Sequence, residues 1–299
     1  MNRARLLLLI LISACAHAQQ VALTFDDLPA AGALPPGATR VTVARDVIQS
    51  LQSAKAPPTW GFINAQKLDN DPALAEVLNL WIQAGFPLGN HTYSHPDLHA
   101  TSIGDFEKDV AANEPALRSL MGAKDWHWFR YPFLREGNTL EKRHAIIGYL
   151  RENGYHVAQT TLDFEDYAWN APYARCLARN DRPSLEWLKS SYLSTAAEYI
   201  ELGQKMARLL YGRDIRHVML LHLGGFQTVM LPKLIDLLRQ RGFQLITLEE
   251  AQKDPAYQSD PDHPSKYGGT LLEQMMEARR LKTPAYAEKP LARLEAICR

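Results

Sequence analysis

Scarcity sets the first limits on this 299-residue chain. Its 33 basic and 33 acidic side chains cancel to a formal charge of zero, so no electrostatic footprint marks nucleic acid or an anionic membrane surface as a partner. Cysteine is limited to Cys15, Cys176 and Cys298. One apolar run stands out, Leu6 to Ile12, and it falls short of the about 20 residues a spanning helix needs, so no transmembrane segment is expected. No internal repeat or low-complexity block interrupts the chain. No glycine fingerprint follows the first strand pattern, which weighs against an open dinucleotide-type sheet. What is present in quantity is apolar surface: 46% hydrophobic residues suffice for one substantial core and a single domain of the larger α/β type.

Residues 1–18 read as a secretory signal peptide. Arg3 and Arg5 precede the apolar run, and Ala16-His17-Ala18 offers small residues at the two positions a signal peptidase reads. Ile12-Ser13-Ala14-Cys15 also resembles a lipobox in which Cys15 would be lipidated. Only five residues would then tether the first strand, which favours cleavage after Ala18. Either route predicts a periplasmic or secreted protein. In that oxidising compartment Cys176 and Cys298 are expected to pair and pin the C-terminal tail to the body.

Strand and helix patterns alternate along the rest. Val21 to Asp27, Thr59 to Ile63, Pro87 to Asn90, His127 to Arg130, His156 to Leu162, His217 to Leu221 and Phe243 to Leu248 read as strands. Helical spacing fills 40–54, 72–85, 103–120, 139–153, 184–210 and 231–241 between them. About seven strands separated by helices point to a parallel barrel or a doubly wound sheet.

The polar clusters are more informative than the strand count. Asp26-Asp27, His91, Arg130, Asp163 to Asp166 and His222 each fall at or just after the C-terminal end of a predicted strand, the face where barrel enzymes assemble their sites. Each alone has an ordinary reading: a solvated Asp turn before Pro29, a surface ion pair, a core histidine. Taken together they suggest metal chemistry. His91 and His95 are four apart, so on a helical turn both rings would point to one side. One aspartate and two neutral imidazoles form the three-ligand set of a catalytic zinc, with a net charge of plus one to polarise a carbonyl and acidify water. The other aspartate is then free to act as general base, clamped by Arg130. His222, oriented by Asp163 or Asp166, would protonate a leaving amine.

These residues resemble the polysaccharide deacetylases, carbohydrate esterase family 4 with its NodB-homology domain. The resemblance runs from about Val21 to Ala251 and rests on Thr24-Phe25-Asp26-Asp27, His91 and His95, Arg130 with Pro132 and Phe133, the Asp166 region, and Leu220 with His222. It implies a distorted (β/α)7 barrel over 19–251, with 252–299 as a C-terminal extension packed on it. It further implies Asp26 as base, Asp27, His91 and His95 as ligands of Zn2+ or Co2+, Arg130 as tether of the base, and the Phe133 N–H as oxyanion donor. The expected activity is a metal-dependent hydrolase removing N-acetyl groups from amino sugars of a chitin-like or peptidoglycan chain, with Trp60, Tyr93, Trp128, Tyr167 and Trp169 as candidates for stacking on sugar. Two alternatives are an amidase or esterase of small acylated molecules and an inactive glycan-binding relative. Several positions depart from the family pattern: Tyr167 follows Asp166, Leu28 precedes Pro29, Leu223 follows His222, and a long stretch, 171–210, could roof the cleft.

Overall fold

The computed structural model describes residues 19–299, so the expected signal peptide and Cys15 lie outside the described residues. In chain order the elements are β1 Gln19–Leu28, α1 Arg40–Ser53, β2 Trp60–Ile63, α2 Gln66–Asn70, α3 Ala75–Gln83, β3 Leu88–Asn90, α4 Ile103–Met121, β4 Trp128–Phe129, α5 Leu140–Glu152 and β5 His156–Val157. They continue with α6 Asn170–Ala178, α7 Arg182–Tyr211, β6 His217–His222, α8 Gln227–Gln240, β7 Phe243–Leu245, α9 Leu248–Gln252, α10 Leu271–Ala278 and α11 Leu291–Ala296. Local chemistry sets the ends. Thr39 and Thr42 form a capping box at α1, while Asp181 caps the 30-residue α7, which stops at Gly212 with φ 69°.

All strand pairs are parallel, in the order β5-β4-β3-β2-β1-β6, and β7 pairs with the start of β1. Residues 158–162 join the two edges: Ala158 N–H bonds Phe129 O at 2.7 Å, and Leu162 N–H and O bond β6 at 3.0 Å each. The sheet therefore curls into the distorted barrel expected. Only His156 and Val157 of the predicted strand 156–162 are regular, because the chain must leave β4 and cross to β6 within five residues.

Alternation along β1 sorts core from site. Val21, Leu23 and Phe25 pack outward in one cluster with Val43 and Val47 of α1, Trp81 of α3 and Leu234 of α8, each full burial contributing about 1.5–3 kcal/mol. Ala22 faces the barrel interior with Trp60, Phe62, Ala158 and Val218. The same period of two carries Thr24 and Asp26 inward. Behind the histidine loop, Gly89 lets β3 and β4 close up: a Cβ there would lie 2.6 Å from Trp128 O and 2.7 Å from the Phe62 ring.

Candidate active site

Asp26 is 2% exposed and sits opposite His222 in the β1–β6 register. Alternation alone would turn Asp27 away from it. The register with β2 shifts between Phe25 and Leu28, and Asp27 adopts φ 65°, so this bulge brings both carboxylates to one cleft. Lys67, which the sequence reading missed, donates to Asp27 O at 2.9 Å and lies 3.5 Å from Asp27 Oδ1. Burial pushes the Asp27 pKa up, but Lys67 and the site imidazoles outweigh it and hold the value down to about 2.

His91 to His95 form no helical turn, contrary to the geometry expected from their spacing. Thr92 and His95 take φ 65° and 61°, and the loop is laced by hydrogen bonds: Thr92 N–H to Asn90 Oδ1 (2.8 Å), Ser94 N–H to Asp109 Oδ1 (2.9 Å) and Asn64 Nδ2 to His91 O (2.6 Å). The rings still converge, with centroids 4.8 Å apart at 73°. His91 Nδ1 bonds Arg130 O at 2.7 Å, which leaves Nε2 free to ligate. Burial lowers the pKa of both histidines to about 4, keeping them neutral.

Arg130, 1% exposed, reaches Asp26 through one nitrogen, Nη1, at 3.3 Å from each carboxylate oxygen, rather than by a two-pronged clamp. Its other nitrogens are committed, Nε to Ala158 O at 2.7 Å and Nη2 to Thr24 Oγ1 at 3.1 Å, and its guanidinium lies over the Phe62 ring. Burial raises the Asp26 pKa despite this cation.

Across the cleft, Asp166 rather than Asp163 bonds His222. Its Oδ1 meets Nδ1 at 2.7 Å, and its Oδ2 accepts the His222 N–H at 3.0 Å and the Gln227 amide. Gln227 in turn bonds the Tyr192 hydroxyl at 2.9 Å. Burial disfavours the imidazolium, but Asp166 prevails and raises the His222 pKa to about 9. Asp163 accepts the Glu165 N–H instead and lines the cleft, with burial lifting its pKa to about 6. Phe133, at φ 57°, follows Pro132 at the start of a short 3-10 turn whose next two N–H groups go to Tyr131 O and Pro132 O. Its ring stands edge-on to His95 at 4.5 Å.

Trp60 and Trp169 prove to be core, and Tyr93 and Trp128 do not line the cleft. Phe133, Tyr167 and Tyr267 do, at 54%, 52% and 74% exposure. Of 171–210 only Ala171 lines this cleft, of about 580 Å³; α7 packs in the helical layer against α6, α8 and α10 rather than as a roof.

Asp27, His91 and His95 offer ligand atoms all within 4.8 Å of one another, with Asp27 Oδ1 at 3.5 Å from His95 Nε2 and 3.9 Å from His91 Nε2. Ligands of one tetrahedral ion with bonds of about 2.1 Å stand about 3.4 Å apart, so the set fits a zinc-like cation.

Known proteins share this arrangement of fold and sequence. The family model described as polysaccharide deacetylase matches residues 13–158, which include Asp26, Asp27, His91, His95, Arg130 and Phe133 but stop before Asp166 and His222. A chitin deacetylase of Colletotrichum lindemuthianum is 26% identical over 244 residues, 80% of this chain and 82% of that protein. Its structure superposes with a TM-score of 0.53 at 22% identity, over 85% of this chain and 96% of the other. A peptidoglycan-N-acetylglucosamine deacetylase of Bacillus cereus is 25% identical over 54% of this chain, and the match spans half of the relative's length. A carbohydrate esterase family 4 pseudoenzyme of Bacillus anthracis has the same fold, with a TM-score of 0.53 at 14% identity over 79% of this chain and 66% of its own. With the ordered motifs gathered at one end of such a barrel, the chain is similar in sequence and in fold to the polysaccharide deacetylases.

Proposed function

We propose that this protein is a secreted, divalent-metal-dependent deacetylase that hydrolyses N-acetyl groups on the amino sugars of a chitin-like or peptidoglycan chain. The observation that carries the proposal is the meeting, in one cleft, of three metal-ligand side chains with a buried carboxylate on one side and a carboxylate-held imidazole on the other. Asp27, His91 and His95 would hold the ion, Zn2+ or a similar cation such as Co2+. When bound, it supplies Lewis acidity toward the acetyl carbonyl and lowers the pKa of water.

The remaining work falls to the chain's own groups. Asp26, whose proton affinity is raised by burial, takes the proton of the water that attacks the acetyl carbon, and Arg130 keeps the carboxylate aimed. Phe133, on the cleft wall, would donate its N–H to the developing oxyanion. His222, charged up to about pH 9, gives its proton to the amine nitrogen as the C–N bond breaks, and Asp166 holds its ring. The products are acetate and a free amino sugar. Secretion rests on the charged, apolar and small-residue pattern of 1–18.

Likeness to a pseudoenzyme carries the fold only, and here the base, the three ligands and the acid are all present. Exhaustive chelation should abolish acetate release from N-acetylated glycans, and added zinc should restore it. Release that survives chelation would contradict the proposal. Release from small amides or esters but never from oligomers would move the substrate to the small-molecule alternative.

A further inference from the structure

Tyr267, at 74%, is the most exposed large apolar side chain among the described residues, and it stands on the cleft that holds Asp26, Asp27, His91 and His95. It belongs to a segment far beyond the 13–158 region that the family model matches. The backbone beneath it is fixed. Ser265 is buried, accepting the Gly268 N–H at 3.1 Å and donating to Gly268 O at 3.0 Å, while its own N–H reaches Gly137 O at 3.2 Å. Gly268, at φ +81°, presses on the turn that carries Phe133, where a Cβ would lie 2.8 Å from Phe133 O. On either side, Asp260 pairs with the buried Arg143 at 2.6 Å and Leu271 N–H bonds Thr160 O at 2.8 Å.

The loop is thus tied to α5, to the 158–162 crossing and to the turn that carries Phe133; Lys266 Nζ lies 5.0 Å from the Tyr267 ring centroid, and the rest of the ring is left in water. A ring held exposed by a fixed loop on the cleft that carries the candidate reactive groups is placed to touch whatever enters that cleft. The apolar C–H face of a pyranose is a flat partner for such a ring, and Phe133 offers a second exposed ring on the same wall. We infer that Tyr267 forms a sugar subsite, so that the cleft reads at least one residue of an amino-sugar chain beyond the one that loses its acetyl group. The inference rests on the deacetylase reading and adds a preference for chains over monomers.

The test compares wild type with Tyr267→Ala, Tyr267→Phe and Tyr267→Trp on N-acetylglucosamine oligomers of one to six units. Acetate release gives kcat and KM, and calorimetry gives affinity independently. Wild-type kcat/KM should climb with length. Tyr267→Ala should lose about tenfold on the longer oligomers, carried by KM, with the shortest substrate unchanged and both aromatic variants close to wild type. An unaltered hexamer-to-dimer ratio in Tyr267→Ala, or an equal loss at every length, would overturn the subsite. Length-dependent binding that Tyr267→Ala abolishes, in a wild type that releases no acetate, would uphold the subsite and sink the deacetylase reading instead.

Discussion

Asp26 and His222 face each other across the β1–β6 register with proton affinities suited to opposite tasks. Burial raises the carboxyl, making it a better base than a surface aspartate, while Asp166 keeps the imidazole charged to about pH 9. Asp26→Asn should leave the ligand set intact and retain metal, but lower kcat by about 10²–10⁴, checked by elemental analysis alongside acetate release. The alkaline limb of the rate should fall as pH rises through the His222 value near 9, because the acid is then unprotonated. Asp166→Asn removes the charge that raises this pKa, so the limb should move to lower pH in a kcat profile. The sequence motifs name these residues but not their supports. Lys67, Gln227 and Tyr192 carry no local signal, since each acts through a contact made only in the folded chain: Lys67 on a carboxylate 40 positions away, and Gln227 with Tyr192 behind Asp166.

Among the elements, short strands position long-range chemistry, so close approaches behind the site matter as much as the site itself. Gly89→Ala would drive a methyl into Trp128 O and the Phe62 ring and spread β3 from β4. The expected loss is about 1–3 kcal/mol by urea unfolding, with weaker metal affinity because Asn90 and His91 follow directly. Continuous apolar runs make β1, β2 and β6 legible, and punctuating Pro and Gly residues locate several helix ends. The loop 91–95 was not legible as it stands, because spacing of four fits a helix equally well. The convergence comes from left-handed residues, from contacts of the buried Asn64 and Asn90, and from Asp109, none of which periodicity reports. The apolar pattern carries a full strand through 158–162 for the same reason: the pattern is real, but its partners change halfway, from β4 to β6.

At the scale of the whole molecule, the C-terminal segment binds both walls of the cleft. Tyr267 stands at the Phe133 wall, while Lys289 pairs with Glu165 at 3.0 Å and Cys298 is disulfide-bonded to Cys176, as the cysteine parity predicts. Cys298→Ser should lower stability by about 2–4 kcal/mol in denaturant melts, since the bridge closes a separation of 122 residues. His91, His95 and His217 are all lowered by burial from 6.5 to about 4. In the metal-free protein the unfolded chain takes up these protons first, so this share of stability is complete above pH 6.5 and lost as pH falls toward 4. His222, raised to about 9, and Asp163, raised to about 6, work the other way: each adds stability as pH falls through its folded value, the gain from His222 being complete below about pH 6.5. Comparing urea midpoints of wild type and His217→Gln from pH 7.5 to 4.5 isolates one share, and the variant should show the shallower fall. The most direct measurement is a calorimetric titration of Zn2+ into chelated, full-length protein and into an Asp27→Ala, His91→Ala, His95→Ala triple variant. One tight equivalent in the wild type, absent from the variant, is the expected result. Binding of equal strength in both, or none in the wild type, would contradict the metal centre on which the proposed chemistry stands.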